Sequence, residues 1–403
     1  MWALLLVLGG LVVGLVLAEG AARVVEHFWC LTQYQGAARR SRTFGWGHQP
    51  GARGWFQSCP GGALEWRTYS RFDQGGLRSD RDVPRARSDA VRVLVIGDSF
   101  TEGLQVPLDQ TWVHLAERRL NATAPPGVRY ELLNAGMSAW GTDNELLWYL
   151  HEGRSYRPDV VLLAFNTSND VFENDRALVS TNFGWPDKPY FALEQNRLVL
   201  RGYPLEPEPR RRVVVRAAIC WLVLRSALMR RLADIDYFKN RLILPGPPGG
   251  PTTNVAQPVE GYLRDPPPHW SEAWRITRGL VLRLRSEVEA RGSRFVVVVL
   301  NGKPEVAPAM WPWLARHGPY KDAPVDLDRP NRLITSFLAR RGIPTVATLD
   351  AFRERFGARG HPGFFGFDVH YAPPGHALAA DVVADGLRRA NVLPNRPHGD
   401  VRD

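Results

Sequence analysis

The chain has 403 residues, of which 44% are hydrophobic and 23% are charged. This composition is that of a globular protein with a full core, so extended disorder and a collagen-like fibre are excluded as the main architecture. The length allows two or three domains, or one large α/β domain with insertions. Three cysteines exclude a disulfide scaffold and a four-cysteine zinc site. One disulfide is possible outside the cytoplasm, and the sequence leaves the pair open among Cys30, Cys59 and Cys220.

The formal net charge is +10, and nearly all of the positive charge comes from arginine. A basic surface can bind nucleic acid, anionic lipid or an acidic polymer, but an arginine-biased genome produces the same composition. The arginines are scattered, without a single basic helix or an aromatic-rich RNA motif. We therefore predict no nucleic-acid partner.

An apolar run opens the chain. Residues 2–18 are uncharged and almost all aliphatic, and a helix of about 20 residues that ends before Arg23 could span a bilayer. A cleaved signal peptide is the alternative, supported by the small-residue site near Ala18 but opposed by the absence of Lys or Arg before the run. We predict a transmembrane anchor or signal sequence in residues 1–28, with the uncleaved anchor favoured.

The orientation of this helix is weakly indicated. By the positive-inside rule alone, the arginines after the helix would leave the main domain in the cytoplasm. Only Arg23 lies close to the helix end, however, and Glu19 and Glu26 flank it. A second apolar stretch, at 213–229, is interrupted by Arg216 and Arg225, which predicts an amphipathic helix packed on the domain or lying at the membrane surface.

From residue 91 the sequence alternates between aliphatic runs and amphipathic segments. Strands are predicted at 91–96, 130–133, 159–165, 295–300 and 345–348, and helices at 108–120, 142–151, 271–292, 331–341 and 374–387. Ser271 is the predicted N-cap of the fourth helix. Five strands alternating with helices predict a doubly wound, three-layer α/β/α fold with a central five-stranded parallel sheet.

The rest of the chain is arranged around this alternation. We predict an aromatic and Gly-rich segment at 29–89, with short strands, that packs on the α/β domain at 90–392. The domain is interrupted by an insertion at 172–268 that forms part of the cleft wall or a lid, with a Pro/Gly-rich loop from 245 to 268. A loose tail follows at 393–403.

Active sites of open α/β sheets form outside the carboxyl ends of the strands. Gly97-Asp98-Ser99 follows the first strand, where Gly97 allows a tight turn and the Ser99 hydroxyl can be exposed. Ser99 could instead simply cap the helix. The segment is not a G-x-S-x-G elbow, because Thr101 occupies the position of the second glycine.

Asparagines follow the next two strands, within 134–141 and 166–170. Such side chains often only satisfy turns, but an amide aimed at the serine would act as an oxyanion donor. After the last strand comes Asp368-Val369-His370. Residues two apart in extended backbone point to the same side, so Asp368 can orient the imidazole of His370.

Three other residues compete for the role of base or acid. His376 falls in the first turn of the last helix, where a structural role is favoured, and His361 and Asp350 are weaker alternatives. No His/Cys/carboxylate cluster has metal-ligand spacing, so neither a metal nor another cofactor is predicted.

The motifs at 97–100, 134–141, 169–170 and 368–370 resemble, in content and order, those of the SGNH/GDSL hydrolase superfamily. The resemblance covers about residues 90–390, and the anchor and the segment Gly76-Leu77-Arg78 resemble a bacterial membrane-anchored branch. It implies Ser99 as nucleophile, His370 as general base and Asp368 as its partner. It also implies an oxyanion hole formed by the backbone N–H groups of Ser99 and Ala139 and the Asn169 side chain.

Three departures from the superfamily pattern are visible. Ala139 stands where glycine is usual, and since alanine adopts positive φ only at a cost, we expect Gly136 or Gly141 to shape the turn instead. Phe100 replaces the leucine of the GDSL name. One residue separates Asp368 from His370 instead of the more familiar two, which resembles the polysaccharide acetyltransferase branch.

The resemblance implies a serine esterase that cleaves acetyl or other short acyl esters of a glycan or lipid, in a domain held outside the cytoplasm on the periplasmic side or at the cell surface. An O-acyltransferase acting on a cell-envelope polysaccharide is the main alternative. A catalytically inactive binding module is a third hypothesis.

Overall fold

The computed structural model describes residues 2–28, 30, 33–34, 38–86, 89–179, 188–234, 260–311, 323–357 and 363–395. The strands are, in chain order, β1 (Gln33–Tyr34), β2 (Ala38–Ser41), β3 (Gly45–His48), β4 (Arg53–Ser58), β5 (Trp66–Arg71), β6 (Val91–Gly97), β7 (Tyr130–Gly136), β8 (Val160–Asn166), β9 (Tyr190–Glu194), β10 (Arg197–Arg201), β11 (Arg294–Leu300) and β12 (Thr345–Ala347).

The helices are, in chain order, α1 (Trp2–Phe28), α2 (Ser99–Glu102), α3 (Trp112–Ala122), α4 (Thr142–His151), α5 (Asp170–Glu173), α6 (Arg176–Val179), α7 (Arg210–Arg225), α8 (Ala227–Asp234), α9 (His269–Glu289), α10 (Lys303–Val306), α11 (Arg329–Arg340), α12 (Leu349–Phe352) and α13 (Pro373–Arg389).

The centre of the fold is a five-stranded sheet in the order β12-β11-β8-β6-β7. All four neighbouring pairs are parallel. Each residue of β6, β7 and β8 is buried, because both faces of the sheet are covered by helices. The predicted doubly wound α/β/α fold with a five-stranded parallel sheet is therefore confirmed.

Alternate residues of each strand contribute to two separate cores. Leu94 and Ile96 of β6 face the layer formed by α4 and α9, where Trp274 is buried. Val93 and Val95 face the layer formed by α3 and α13. The period of two along the strand thus assigns each side chain to one of the two helix layers.

Four of the five predicted helices begin one to four residues away from the predicted start, and α3 and α9 show why. The segment predicted as a helix from 108 opens with a separate 3₁₀ turn at Leu108–Gln110, and α3 follows because the Thr111 hydroxyl accepts a bond from the His114 N–H at 3.3 Å. The prediction of Ser271 as N-cap is wrong, since α9 begins at His269 and Ser271 lies within its first turn. Pro268 takes the N-cap position, where a missing N–H costs nothing.

Among its described residues, the insertion contains the short helix α6, a hairpin and the helices α7 and α8. Strands β9 and β10 pair in antiparallel register. The helix predicted at 213–229 is present as α7 and α8, which Ser226 separates with extended backbone. The prediction that it is amphipathic is confirmed for α8, but the apolar and charged residues of α7 do not segregate to opposite faces. The loop predicted at 245–268 lies outside the described residues as far as 259, and so does the tail from 396 onward.

The segment before the sheet forms two small antiparallel sheets, β2-β3 and β1-β4-β5. A disulfide joins Cys30 to Cys59, with their Cα atoms 5.5 Å apart, which resolves a pairing that the sequence leaves open. The indole N–H of Trp46 donates to the Ser138 carbonyl at 3.0 Å, and that of Trp140 donates to the Trp46 carbonyl at 2.9 Å. These bonds attach β3 to the loop that follows β7.

The end of β7 packs directly on α2, and this contact leaves no room for a side chain at Gly136. A Cβ there would lie 2.2 Å from the Glu102 backbone nitrogen. We expect Gly136→Ala to lower the free energy of unfolding by about 1–3 kcal/mol, because the turn that holds the serine would have to move. Differential scanning fluorimetry in detergent measures this as a drop in Tm.

Gly357→Ala is the matched control, since a Cβ at that position would be 3.4 Å from the Val306 carbonyl oxygen, an ordinary contact. Equal Tm values for the two variants would contradict the close approach of β7 and α2.

Candidate active site

Ser99 lies directly after β6, as the first residue of α2. The N-cap is Asp98, whose carboxylate accepts the Phe100 N–H at 2.9 Å, so the hypothesis that Ser99 merely caps the helix is wrong. Gly97 is needed for space, because a Cβ at this position would be 3.1 Å from Ala164 Cβ. The tight packing of β6, β8 and α2 therefore presents the Ser99 hydroxyl at the carboxyl edge of the sheet.

The loop before α13 brings His370 and Asp368 to this hydroxyl. Ser99 Oγ is 2.7 Å from His370 Nε2, and His370 Nδ1 is 2.5 Å from Asp368 Oδ1. The His370 backbone N–H donates to the same carboxylate oxygen at 2.9 Å. The three residues predicted from separate ends of the chain thus form one continuous line of hydrogen bonds.

The charges of Asp368 and His370 depend on each other. Burial opposes ionisation of Asp368, but the charge and hydrogen bonds of His370, together with a bond from Trp66, lower the pKa of Asp368 to about 2. Burial likewise acts against the imidazolium, but Asp368 outweighs it, so the pKa of His370 is raised above its usual value. An ionised Asp368 holds the Nδ1–H tautomer and leaves Nε2 to take the proton of Ser99.

Three side chains that the motifs did not indicate hold Asp368 in place. The indole N–H of Trp66 donates to Asp368 Oδ2 at 2.9 Å, and Glu65 accepts the Asp368 backbone N–H at 3.1 Å. The ammonium of Lys303 donates to the Asp368 carbonyl at 2.5 Å. Lys303 lies three residues after the end of β11, near the carboxyl edge of the sheet, a position that could have singled it out. Trp66 and Glu65 come from β5 and the residue before it, where no sequence signal relates them to Asp368.

The turn after β7 contains Ala139, the predicted oxyanion donor. Ala139 itself adopts a φ of 59°, so the expectation that Gly136 or Gly141 would provide the unusual conformation is wrong. For alanine this conformation costs roughly 1–2 kcal/mol, which the surrounding contacts must offset. Gly141 has a φ of −99° and only precedes α4, while Gly136 is required for the approach of Glu102 described above.

The contacts that hold this turn converge on Glu102, a buried carboxylate at the end of α2. It accepts bonds from the Ser138 backbone N–H and from His48 Nε2, both at 2.8 Å, and also from the Ser138 hydroxyl. Burial favours the neutral acid, but the bonds from His48 and Ser138 and the charges of His48 and Arg78 outweigh it and lower the pKa of Glu102. The charged Glu102 thereby fixes the turn relative to Ser99.

Asn169, the third predicted oxyanion donor, lies beside Asp98. Its amide Nδ2 donates to Asp98 Oδ2 at 2.9 Å, and the Asn166 amide donates to the same oxygen at 2.9 Å. The structure thus brings Asn169 to the residue that precedes Ser99, and its role as a donor to an oxyanion stays a prediction.

Behind Asp98 lies a group of buried carboxyl side chains. Burial raises the pKa of Asp98, and burial together with mutual repulsion raises the pKa values of Glu145, Asp170 and Glu173 well above their usual range. Burial and mutual repulsion therefore make negative charge less favourable at these positions than in water, next to a site where an oxyanion would develop.

A small pocket of about 10 Å³ lies next to Asn169 and is lined by aromatic side chains that include Phe172, Tyr262, Trp270 and Trp274. Tyr262 belongs to the insertion at 172–268. This placement is consistent with the prediction that the insertion forms part of a cleft wall.

Two of the other residues considered as base or acid, His376 and Asp350, are not part of the line of bonds between Ser99, His370 and Asp368. His376 is buried, its Nδ1 accepts the Trp112 backbone N–H at 3.2 Å, and burial, with Arg78 and His370 nearby, lowers its pKa to about 3. Its role is structural, as predicted. Asp350 is exposed on α12, and His361 lies outside the described residues. Within the described part of the chain, no three His, Cys, Asp or Glu side chains could jointly hold a metal ion.

The raised pKa of His370 predicts the pH profile of the reaction. The base form is needed, so kcat/KM should rise with pH and reach half its maximum above pH 6.5. Asp368→Asn removes the charge that stabilises the imidazolium, so the half-rise should move to lower pH while the maximum falls about 10³–10⁴-fold. An unmoved half-rise with nearly full activity, measured on an aryl ester, would exclude this role of Asp368.

His376 should make the fold sensitive to acid. Its pKa of about 3 in the folded state lies below the usual histidine value of 6.5, so its contribution to stability is present above pH 6.5 and is lost as the pH falls. The expected slope is about 1.4 kcal/mol per pH unit. In His376→Asn the amide oxygen can replace Nδ1 as acceptor without titrating, so Tm should fall less steeply between pH 6.5 and 4.5. Parallel Tm curves for the variant and the natural protein would show that His376 is not the source.

Comparison with known proteins is consistent with this geometry. Residues 267–402 match the family described as "SGNH hydrolase-like domain, acetyltransferase AlgX". The match covers well under half of the chain; it includes Asp368 and His370 but not Ser99. None of the curated protein sequences matches this chain.

Several solved structures are similar at low identity. TesA is 13% identical with a TM-score of 0.38, covering 74% of this chain and 99% of its own. LAE5, an α/β hydrolase from the metagenome of Lake Arreo, Spain, is 13% identical with a TM-score of 0.38, covering 76% and 98%. A catalytic mutant of Axe2, an acetylxylan esterase from Geobacillus stearothermophilus, is 14% identical with a TM-score of 0.38, covering 78% and 99%. Scores this low say nothing about activity or substrate.

The family match and the parallel sheet together confirm the resemblance predicted from the order of the motifs. Residues 267–402 match an SGNH hydrolase-like domain.

Proposed function

We propose that this chain is a serine-dependent enzyme that acts on acyl esters through an acyl-Ser99 intermediate. The observation that carries the proposal is the line of bonds from Ser99 through His370 to Asp368, at 2.7 and 2.5 Å. A serine hydroxyl is a weak nucleophile unless an adjacent base removes its proton, and a carboxylate on the far side of the imidazole keeps that base in the required tautomer.

In the first step His370 Nε2 takes the proton of Ser99 while Ser99 Oγ bonds to the ester carbonyl carbon. The carbonyl π electrons move to its oxygen, and the backbone N–H groups of Ser99 and Ala139 with the Asn169 amide stabilise this oxyanion. When the intermediate collapses, the alcohol leaves with the proton from His370 and the acyl group stays on Ser99. An incoming hydroxyl group, deprotonated by His370, then attacks acyl-Ser99 and releases Ser99.

Two observations favour a sugar hydroxyl over water in this last step. The matched family is described as an acetyltransferase, and one residue instead of two separates Asp368 from His370, as in the polysaccharide acetyltransferase branch. We therefore propose O-acetylation, or transfer of another short acyl group, to a cell-envelope polysaccharide as the second candidate function, with hydrolysis as the reaction when no acceptor is present.

The proposed location is the outer face of a membrane, with α1 as an anchor. Among the described residues one helix, over Leu5–Glu26, is long and apolar enough to cross a bilayer, although a signal sequence would share these properties. The bond between Cys30 and Cys59 supports an oxidising compartment, because such bonds are rare in the cytosol. These features support the membrane-anchored branch predicted from the sequence.

Ser99→Ala should reduce turnover of a short-chain aryl ester by about 10³-fold or more, because the bond-forming atom is lost. Its Tm should stay close to that of the natural protein, because Ser99 is only partly buried and the substitution removes one hydrogen bond, to His370. Ser286→Ala, on the exposed side of α9, is the matched control and should retain full activity. A Ser99→Ala preparation that is active, and still labelled by a fluorophosphonate probe, would refute the assignment.

The choice between hydrolysis and transfer rests on product analysis with an acetyl donor ester, with and without a de-O-acetylated acidic polysaccharide. Transfer predicts O-acetyl groups on the polysaccharide and a matching fall in free acetate, both lost in Ser99→Ala. If the amount of free acetate is the same with and without the polysaccharide, the chain is an esterase.

A further inference from the structure

Helices α7 and α8 of the insertion contact the membrane-anchor candidate α1. The Glu19 carboxylate of α1 accepts the Ser226 hydroxyl at 2.7 Å and the backbone N–H groups of Ala227 and Leu228, each at 3.0 Å. Glu19 therefore satisfies N–H groups at the start of α8 that have no partner within the helix. This capping joins two segments more than 200 residues apart in the sequence.

A second contact lies two turns farther along α1. Arg230 of α8 donates to both oxygens of Glu26, through Nε and Nη2, at 2.8 Å each. Bidentate pairs of this kind fix geometry as well as distance. Two separate contacts, at Glu19 and Glu26, thus set both the position and the direction of α8 along α1.

These contacts place α7 and α8 at one depth relative to a bilayer. The uncharged part of α1 ends at Ala18, and about 20 residues of helix cross the hydrocarbon core. Glu19 and Glu26 then lie where the helix leaves the hydrocarbon and enters the headgroup region. Since α8 packs against this part of α1 and Arg23 donates to the Arg225 carbonyl at 3.3 Å, α8 and the adjoining end of α7 lie at the same level.

The surface of α7 suits that level and not open water. Large apolar side chains along it are exposed, with Val214 67%, Trp221 54% and Val215 49% accessible. Exposed apolar surface costs about 25 cal/mol per Å², and a continuous patch of it marks an interaction site. The same helix carries five arginines and no acidic residue, and the Arg225 guanidinium lies over the Trp221 ring at 4.7 Å.

Two hydrogen bonds connect the chain just before α7 to the segment at 29–89, which is itself bonded to the loop after β7. Arg42 and Leu205 exchange two bonds, with the Leu205 N–H donating to the Arg42 carbonyl at 2.8 Å and Arg42 Nε donating to the Leu205 carbonyl at 2.7 Å. Leu205 precedes α7 by a few residues and is buried. A helix held in the membrane surface would therefore restrict how the domain turns about α1.

We propose that α7 and α8, a basic helix pair with exposed apolar side chains, lie in the headgroup region of an anionic lipid bilayer, bound to α1, and hold the catalytic domain in a fixed orientation to the membrane. The inference rests on the anchor proposed above. Continuity with α1 favours the membrane over a second copy of the chain as the occupant, and the arginines match anionic headgroups. Apolar residues and tryptophan on a basic helix are typical of helices that lie in the interface.

The test uses the full chain in vesicles of phosphatidylcholine with or without phosphatidylglycerol. Cys220→Ser provides a background for Val214→Cys, labelled with the polarity-sensitive fluorophore NBD, and exposed Ala290, at the end of α9, is changed to Cys as the matched control. We expect blue-shifted NBD emission at position 214 that is quenched by lipids with shallow doxyl groups. The label at position 290 should emit as in water and remain unquenched.

The charge contribution is tested by Arg210→Ser combined with Arg211→Ser. Each arginine near an anionic surface strengthens membrane binding. Loss of two arginines should therefore lower the ratio of membrane-bound to free α7 about 10- to 30-fold in anionic vesicles. In pure phosphatidylcholine this difference should largely disappear. An unchanged ratio in anionic vesicles would refute the part assigned to anionic headgroups.

Flotation after carbonate extraction separates the possible failures. If the chain does not float, the anchor is refuted and this inference with it, while activity of Ser99 on an aryl ester is tested independently. If the chain floats but the label at position 214 emits as in water, the inference alone is refuted. A third outcome is a blue shift that grows with the protein-to-lipid ratio and is not quenched by doxyl lipids. It would show that α7 contacts a second copy of the chain and would refute the membrane as its partner.

Discussion

The rest of the site depends on the buried charge of Glu102. This carboxylate lies on the helix that begins with Ser99 and accepts bonds from His48 of the N-terminal segment and from Ser138 of the turn after β7. A buried ion whose partner is missing is destabilising by about 3–5 kcal/mol, so each partner must be in place for the fold to be stable. One ionised group thus couples the position of the serine to the turn predicted to stabilise an oxyanion.

Asp368, like Glu102, is a carboxylate held in place by residues from distant segments of the chain. Asp368 would move freely as part of a loop, but Trp66 holds its carboxylate, and Glu65 and Lys303 hold its backbone. Two of these three residues come from the segment before the sheet. That segment is therefore part of the support of the active site, and the small sheets it forms have a function beyond linking the anchor to the domain.

The sequence was informative where a physical property shows in one short stretch. Aliphatic runs located β6, β8 and β11, and short apolar stretches located β7 and β12. Polar motifs located Ser99 after the first of these strands and the pair Asp368 and His370 before the last helix. It was uninformative where a contact joins distant stretches or where one residue departs from its preference. Ala139 adopts a φ of 59° against the preference of alanine, because the bonds of the neighbouring Ser138 and of the tryptophans around it determine the turn.

The sequence by itself determined the α/β alternation, the apolar N-terminal helix and the identity of the residues at the strand ends, because each is a property of local composition and periodicity. Only the tertiary structure decided which cysteines pair, which side chains support Asp368, and that Glu19 and Glu26 of the anchor hold helices of the insertion. These outcomes depend on the packing of segments far apart in the chain. Burial makes such pairings necessary, since polar groups removed from water must find their partners wherever the fold places them.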